Sequence, residues 1–235
     1  MSVVFSYNWQ RDPERLVSWI GLGRKVDDAR QESLFLDALD VMPQEHLGDL
    51  CIVVGGFMDG LLGRAYRILE DLPALLGDGF DIYYREHDEH SGVRRLIRRY
   101  GKLGRNIVLI GHSWGGSSLA RDILRHPDCR DLSVEILITL DPVGVRKARF
   151  LPQVKRWLNI YLPYGKAKWS RENNVARLGQ PWEYVHQASL NREPSLLRHS
   201  KAQAMFREFG AAYIELGLMD AKIGPYARQE GGKST

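Results

Sequence analysis

The sequence predicts an α/β architecture: a mostly parallel central sheet flanked on both faces by helices, folded as one domain. Three observations predict it. Short, nearly unbroken apolar runs such as Leu50-Cys-Ile-Val-Val54 and Asn106-Ile-Val-Leu-Ile110 have the length of strands buried on both faces. Segments with apolar residues at helical spacing alternate with these runs. Turn-forming residues close the runs, with Gly55-Gly56 after the first and Asp141-Pro142 after Val134–Leu140.

The elements follow in order. Asp27 to Met42 places Leu34, Phe35, Ala38, Leu39 and Met42 at helical spacing, and residues 1–48 are expected to form a segment packing on the domain that follows. Leu50–Val54 is a strand. Leu61–Leu76 reads as a helix with Leu62, Ala65, Tyr66, Ile68, Leu69 and Leu72 apolar. Phe80–Tyr84 is a strand and Ser91–Leu103 a basic helix. Asn106–Ile110 is a strand, Gly115–Leu124 a helix and Val134–Leu140 a strand. Leu158–Leu162 and Trp182–Val185 are two further strand candidates, and Pro194–Phe209 closes as a helix. The domain is placed at residues 49–228, with a polar, Gly-rich tail at 229–235 expected to fray. Parallel strands joined by helical crossovers of this length connect right-handedly.

Composition sets outer bounds. Apolar residues make up 44% and charged residues 26% of 235, close to an ordinary globular protein. The net charge of +4 is too small to argue for nucleic acid, and no nucleic-acid motif accompanies it. The densest cluster, Arg94, Arg95, Arg98 and Arg99, reads as a solvated helix face, with peripheral contact to an anionic membrane as the alternative. Two cysteines, Cys51 and Cys129, have no pattern that supports a bridge between them, and so low a count points to a reducing compartment or to folding that does not depend on disulfides. No run approaches the 18 apolar residues of a membrane span, and the first residues lack a secretory signal. The chain is therefore expected in the cytoplasm, with export by a route using no signal peptide left open. No metal or cofactor motif is found, and none is expected.

One motif carries chemistry. Gly111-His112-Ser113-Trp114-Gly115 fits the G-x-S-x-G nucleophile elbow, and it lies directly between an apolar strand and a helix. The chemistry requires that placement. A tight, strained strand-to-helix turn lifts the serine above the strand end, and the helix N-terminus faces developing negative charge. Residues without side chains at 111 and 115 tolerate the close approach. The competing structural reading is an ordinary junction with a serine N-cap.

A serine nucleophile needs a base, and the base needs an orienting acid. Asp141 ends the next strand, and Pro142 keeps it out of helical geometry. Ligands gather at strand carboxyl ends in open α/β sheets. Asp128, Asp131 and Glu183 are weaker candidates, and a plain turn before proline is the bland alternative for Asp141. Two histidines follow. His186 comes directly after the last strand candidate and is the expected base, whereas His199 falls within the predicted closing helix. His112 neighbours the serine but points elsewhere in an elbow. The oxyanion of acyl transfer needs preorganised N–H donors. Trp114 and Phe57, the latter in the Gly55–Asp59 loop, are the expected pair, with Met58 in reserve and as a substrate contact.

Val53-Val-Gly-Gly-Phe57, Gly111-His-Ser-Trp-Gly-Gly116, Leu140-Asp-Pro-Val143 and the His186 segment, in that order, resemble the α/β-hydrolase superfamily. More narrowly, they look like bacterial lipase or thioesterase-like hydrolases. The resemblance covers about residues 50–210. It implies Ser113 as nucleophile, Asp141 as acid, His186 as base, and Phe57 and Trp114 as oxyanion donors. Gly55 stands where many relatives carry His, and the 142–157 segment is too short for a large cap, so little or no cap domain is expected.

The implied activity is hydrolysis of a carboxylic ester, with lipid or phospholipid substrates in view, through an acyl-serine intermediate. Thioesters and amides use the same apparatus. An exported antibacterial phospholipase held by a protein inhibitor is a more specific version. A non-catalytic binding module on the same scaffold is the rival from another class.

Overall fold

The computed structural model describes residues 44–57, 59–147 and 149–227. The helix expected at 27–42, all but the end of the 1–48 segment, Met58 and the 229–235 tail lie outside the described residues.

Six strands form one sheet: β1 (Asp49–Val54), β2 (Phe80–Arg85), β3 (Ile107–His112), β4 (Val134–Leu140), β5 (Val154–Ile160) and β6 (Leu190–Arg192). Their order is β2-β1-β3-β4-β5-β6, and every neighbouring pair is parallel. The mostly parallel sheet expected from the sequence is present.

Alternation along the strands divides the core. Leu50, Ile52, Val54, Ile107 and Leu109 face one layer, while Cys51, Val53, Val108 and Ile110 face the other. Both layers are dry, which is why the strands read as continuous apolar runs. Cys51 and Cys129 are free and sit in opposite layers.

The helices follow the crossovers. After β1 come α1 (Asp59–Leu62), a 3₁₀ turn at Tyr66–Glu70 and α2 (Leu72–Leu76). The single helix expected over 61–76 is thus broken. Gly63 adopts φ 62° and Pro73 lies in the first turn of α2, so neither allows one continuous rod. Next comes α3 (His90–Lys102), which buries Val93, Leu96, Ile97 and Tyr100 at the i, i+3, i+4, i+7 spacing of one face. Its arginines lie on the other face. Truncating Leu96 to Ala in that layer costs about 2–5 kcal/mol.

After β3 comes α4 (Trp114–Ser117), continued by a π-helical stretch at Ser118–Ile123. Then α5 (Arg171–Leu178) follows β5. The closing run is α6 (Ala202–Met205), a π stretch at Phe206–Gly210 and α7 (Ala211–Ala227). Among the described residues no separate cap domain interrupts the sheet, and no helix is long and apolar enough to cross a membrane.

Two expectations fail near the C-terminus. Trp182–Val185 is not a strand: Gln180 and Glu183 take φ 61° and 50°, which breaks extended geometry. Side chains tie this segment to the sheet edge instead. Asn159 Nδ2 donates to the Glu183 carbonyl at 2.8 Å, and Asn191 bonds both the N–H and the C=O of Val185. Trp182 and Val185 are buried as plugs, which explains their apolar signal. The sixth strand is Leu190–Arg192, and the helix expected from Pro194 starts only at Ala202.

Candidate active site

β3, β4 and β5 end at one level, with His112 beside Leu140 and Leu140 beside Ile160. The residues that leave the sheet there are Ser113 and Asp141. Each keeps one more ladder bond: Ser113 N donates to the Leu140 carbonyl, and Asp141 N to that of Ile160. Parallel register therefore delivers a hydroxyl and a carboxylate to the same rim.

Ser113 adopts φ 54° and ψ −124°, a strained conformation for a residue with a side chain. The turn is over-determined by its surroundings. A Cβ on Gly115 would sit 2.4 Å from the carbonyl oxygens of Val54 and Gly55, so only glycine lets α4 start this close to β1. A Cβ on Gly56 would lie 2.6 Å from Ser113 Cβ, so the β1 loop presses directly on the serine.

The histidine that meets Ser113 is His199. Its Nε2 lies 3.0 Å from Ser113 Oγ, and its Nδ1 lies 2.6 Å from Asp141 Oδ2. The expectation for His186 is corrected: His186 is exposed and its ring packs on Tyr184 at 5.0 Å. The cause is the strand error. Because Leu190–Arg192 is the last strand, the loop after it is 193–201, and His199 hangs there. The break at Glu193-Pro194 after Leu190-Asn-Arg192 was the available signal.

Asp141 is fully buried, with φ 44°. Its Oδ2 also accepts from the Tyr164 hydroxyl at 2.5 Å, and its Oδ1 from Leu162 N at 3.2 Å. Burial and the Asp141 charge push the Tyr164 pKa far up, so the phenol stays a donor. Of the weaker acid candidates, Asp128 and Asp131 pair with His126 and Arg130 at the surface, and Glu183 accepts from Tyr164 N. Burial holds the His199 pKa below its ordinary value, against the opposing pull of Asp141. A neutral imidazole with Nδ1–H on the carboxylate leaves Nε2 as an acceptor facing the serine proton.

The His199 backbone is gripped from two sides. Its N–H donates to Asn173 Oδ1 at 2.9 Å, from α5, whose Nδ2 also bonds the carbonyls of Lys168 and Leu197. Its carbonyl accepts from His112 Nε2 at 2.9 Å. His112 Nδ1 lies 3.3 Å from Asp59 Oδ2. Both partners of His112 are acceptors. Asp59 in turn accepts the N–H groups of Gly56, Arg64 and Ala65. Burial works to raise the Asp59 pKa, but His112 and the Gly56 and Ala65 amides outweigh it and hold it low. One buried carboxylate thus links the β1 loop to the His199 loop. Tyr164, Asn173 and Asp59 were not picked out from the sequence. Their site partners lie 23, 26 and 53 residues away along the chain, which no local pattern encodes.

Phe57 and Trp114 flank the serine. Their rings lie 5.6 Å apart, and His87 joins them at 6.2 and 5.6 Å. Phe57 is 56% and Trp114 41% exposed, so they form an aromatic rim open to solvent. Neither backbone N–H donates to an acceptor among the described residues. Among the described residues, no group of three or more His, Cys, Asp or Glu side chains is placed to share a metal ion.

No curated protein and no solved structure matches the chain. A family model does match, over residues 29–229, a span that holds the sheet and the Ser113, Asp141 and His199 cluster. The chain belongs to the alpha/beta hydrolase family.

Proposed function

We propose that the protein is a serine hydrolase that cleaves carboxylic esters through an acyl-serine intermediate. One observation carries this: the buried relay from Asp141 Oδ2 through His199 to Ser113 Oγ, at 2.6 and 3.0 Å. His199 Nε2 takes the Ser113 proton as Oγ bonds to the acyl carbon. The tetrahedral oxyanion is met by the N–H groups of Trp114 and Phe57. On collapse the carbon–oxygen bond to the alcohol breaks, and His199 returns its proton to that oxygen. Water then repeats the sequence on the acyl-serine, releasing the acid and restoring Ser113. Asp141 stays ionised and holds the imidazole in the tautomer that accepts at Nε2.

The substrate is a small ester with an acyl chain, in the manner of lipases. The aromatic rim of Phe57 and Trp114 suits such a chain, since an exposed apolar pair beside a nucleophile can be covered by it. Turnover of p-nitrophenyl butyrate, of the matching butyryl thioester and of the matching anilide tests both the chemistry and the class. The expected result is ester cleavage that Ser113→Ala abolishes. Thioester cleavage well above ester cleavage would move the assignment to a thioesterase, and no turnover of any acyl donor would refute it.

A further inference from the structure

Beside the His199 loop lies an open cleft of about 670 Å³. Its lining includes Ser200 and Lys201, the next two residues after His199, together with Arg64 and Arg67. Arg64 sits five residues after Asp59, donates its N–H to Asp59 Oδ1 at 2.8 Å, and is near enough to act electrostatically on His199. The cleft therefore adjoins the loop that presses on Ser113 and the loop that carries the base.

Its charge is lopsided. Four of its side chains are basic, Arg64, Arg67, Lys201 and Arg207, against one acid, Glu208. The acid and one base are already engaged. Glu208 accepts from Ser195, and Arg207 binds Asp71 through two nitrogens, at 2.9 and 2.7 Å. Gln203 also turns to Asp71 and to the Arg67 carbonyl. Among the described residues no ion pair or hydrogen bond occupies the charged ends of Arg67 and Lys201, while Arg64 acts electrostatically on Glu172. Like charges gathered on one concave surface repel one another, and an anion seated between Arg67 and Lys201 relieves that repulsion. Two guanidinium forks match the paired oxygens of a phosphate.

We propose that this cleft is a subsite for an anionic group of the phosphate-monoester kind, carried by the ester that Ser113 attacks. The proposal rests on the serine-hydrolase assignment and narrows its substrate to an ester bearing a phosphate beside the scissile bond. Phosphate held by Arg64, Arg67 and Lys201 would orient the acyl group toward the Phe57–Trp114 rim.

The test uses a matched pair of substrates, glycerol monooctanoate and its 3-phosphate, at constant ionic strength. The full-length protein should show a kcat/KM at least tenfold higher for the phosphorylated ester. The double charge reversal Arg67→Glu with Lys201→Glu should erase that ratio, and Arg130→Glu, exposed and outside the cleft lining, should leave it alone. Equal values for the two esters, or a ratio that survives the double reversal, would overturn the subsite while leaving the hydrolase assignment standing. Failure to cleave either ester would count against the hydrolase assignment alone. Calorimetric titration with inorganic phosphate needs no turnover and decides the subsite in that case. Millimolar binding that the double reversal removes supports it, and no binding to the wild-type protein overturns it. Dioleoyl phosphatidic acid in phosphatidylcholine vesicles identifies the source: faster cleavage there than of the soluble ester assigns the phosphate to a lipid headgroup, and slower cleavage to a soluble metabolite.

Discussion

Replacing His199 by Ala removes a side chain that is 5% exposed and bonds Ser113 and Asp141 at once. Two effects combine. Among the described residues, the serine loses the only imidazole within hydrogen-bond reach, and the Asp141 carboxylate loses one of three donors. Loss of a triad base lowers turnover by ~10⁴–10⁶-fold. That corresponds to ~5–8 kcal/mol of lost transition-state stabilisation. His186→Ala is the built-in comparison. His186 is exposed and packs on Tyr184 alone, so its loss should change turnover by less than about twofold, the span of an ordinary surface substitution. Steady-state kinetics on a chromogenic ester measures both, with circular dichroism and thermal melts to establish folding. A folded His199→Ala protein that retains turnover, or a His186→Ala protein that loses it, would refute the assignment of the base.

Three further outcomes follow. Activity requires neutral His199, whose pKa burial holds below the ordinary 6.5; as pH falls, kcat/KM should therefore decline only with a midpoint under that value, and a midpoint above it would contradict the buried relay. Tyr164→Phe removes a donor to a buried carboxylate and should cost about 1–3 kcal/mol in stability by denaturant unfolding, with turnover down about tenfold. Glu86 is pushed up to about 8, first by burial and then by Asp59 and Glu89. Its protonated form stabilises the fold fully below its ordinary 4.5, and that contribution is lost as pH rises through about 8. Glu86→Gln should leave stability at pH 4 unchanged and raise it by about 2 kcal/mol at pH 8, after allowance for partial solvent screening.

The fold was legible because the inner strands are buried on both faces. Leu50–Val54 and Asn106–Ile110 announce themselves as dry runs, and the heptad-like spacing of Val93, Leu96, Ile97 and Tyr100 marks α3. The elbow was legible for the same kind of reason, since its constraints are local: a strand, glycines where side chains would clash, a serine and a helix. The sheet edge was not. β6 is three residues long, too short for a period to show, while Trp182 and Val185 carry an apolar signal without extended backbone. That single misreading put the expected base at His186, whereas the histidine that meets Ser113 is His199. Side-chain clasps such as Asn173 on the His199 N–H, 26 residues apart, are written in tertiary contact and not in any local pattern.

The central claim is that Ser113 is an activated nucleophile. Incubation with a fluorophosphonate, followed by intact mass and peptide mapping, tests it directly. The account predicts one phosphonyl adduct on Ser113, formed rapidly by the wild-type protein, slowly by His199→Ala and not at all by Ser113→Ala. A folded wild-type protein that stays unlabelled, or that carries its adduct on another serine, would contradict it.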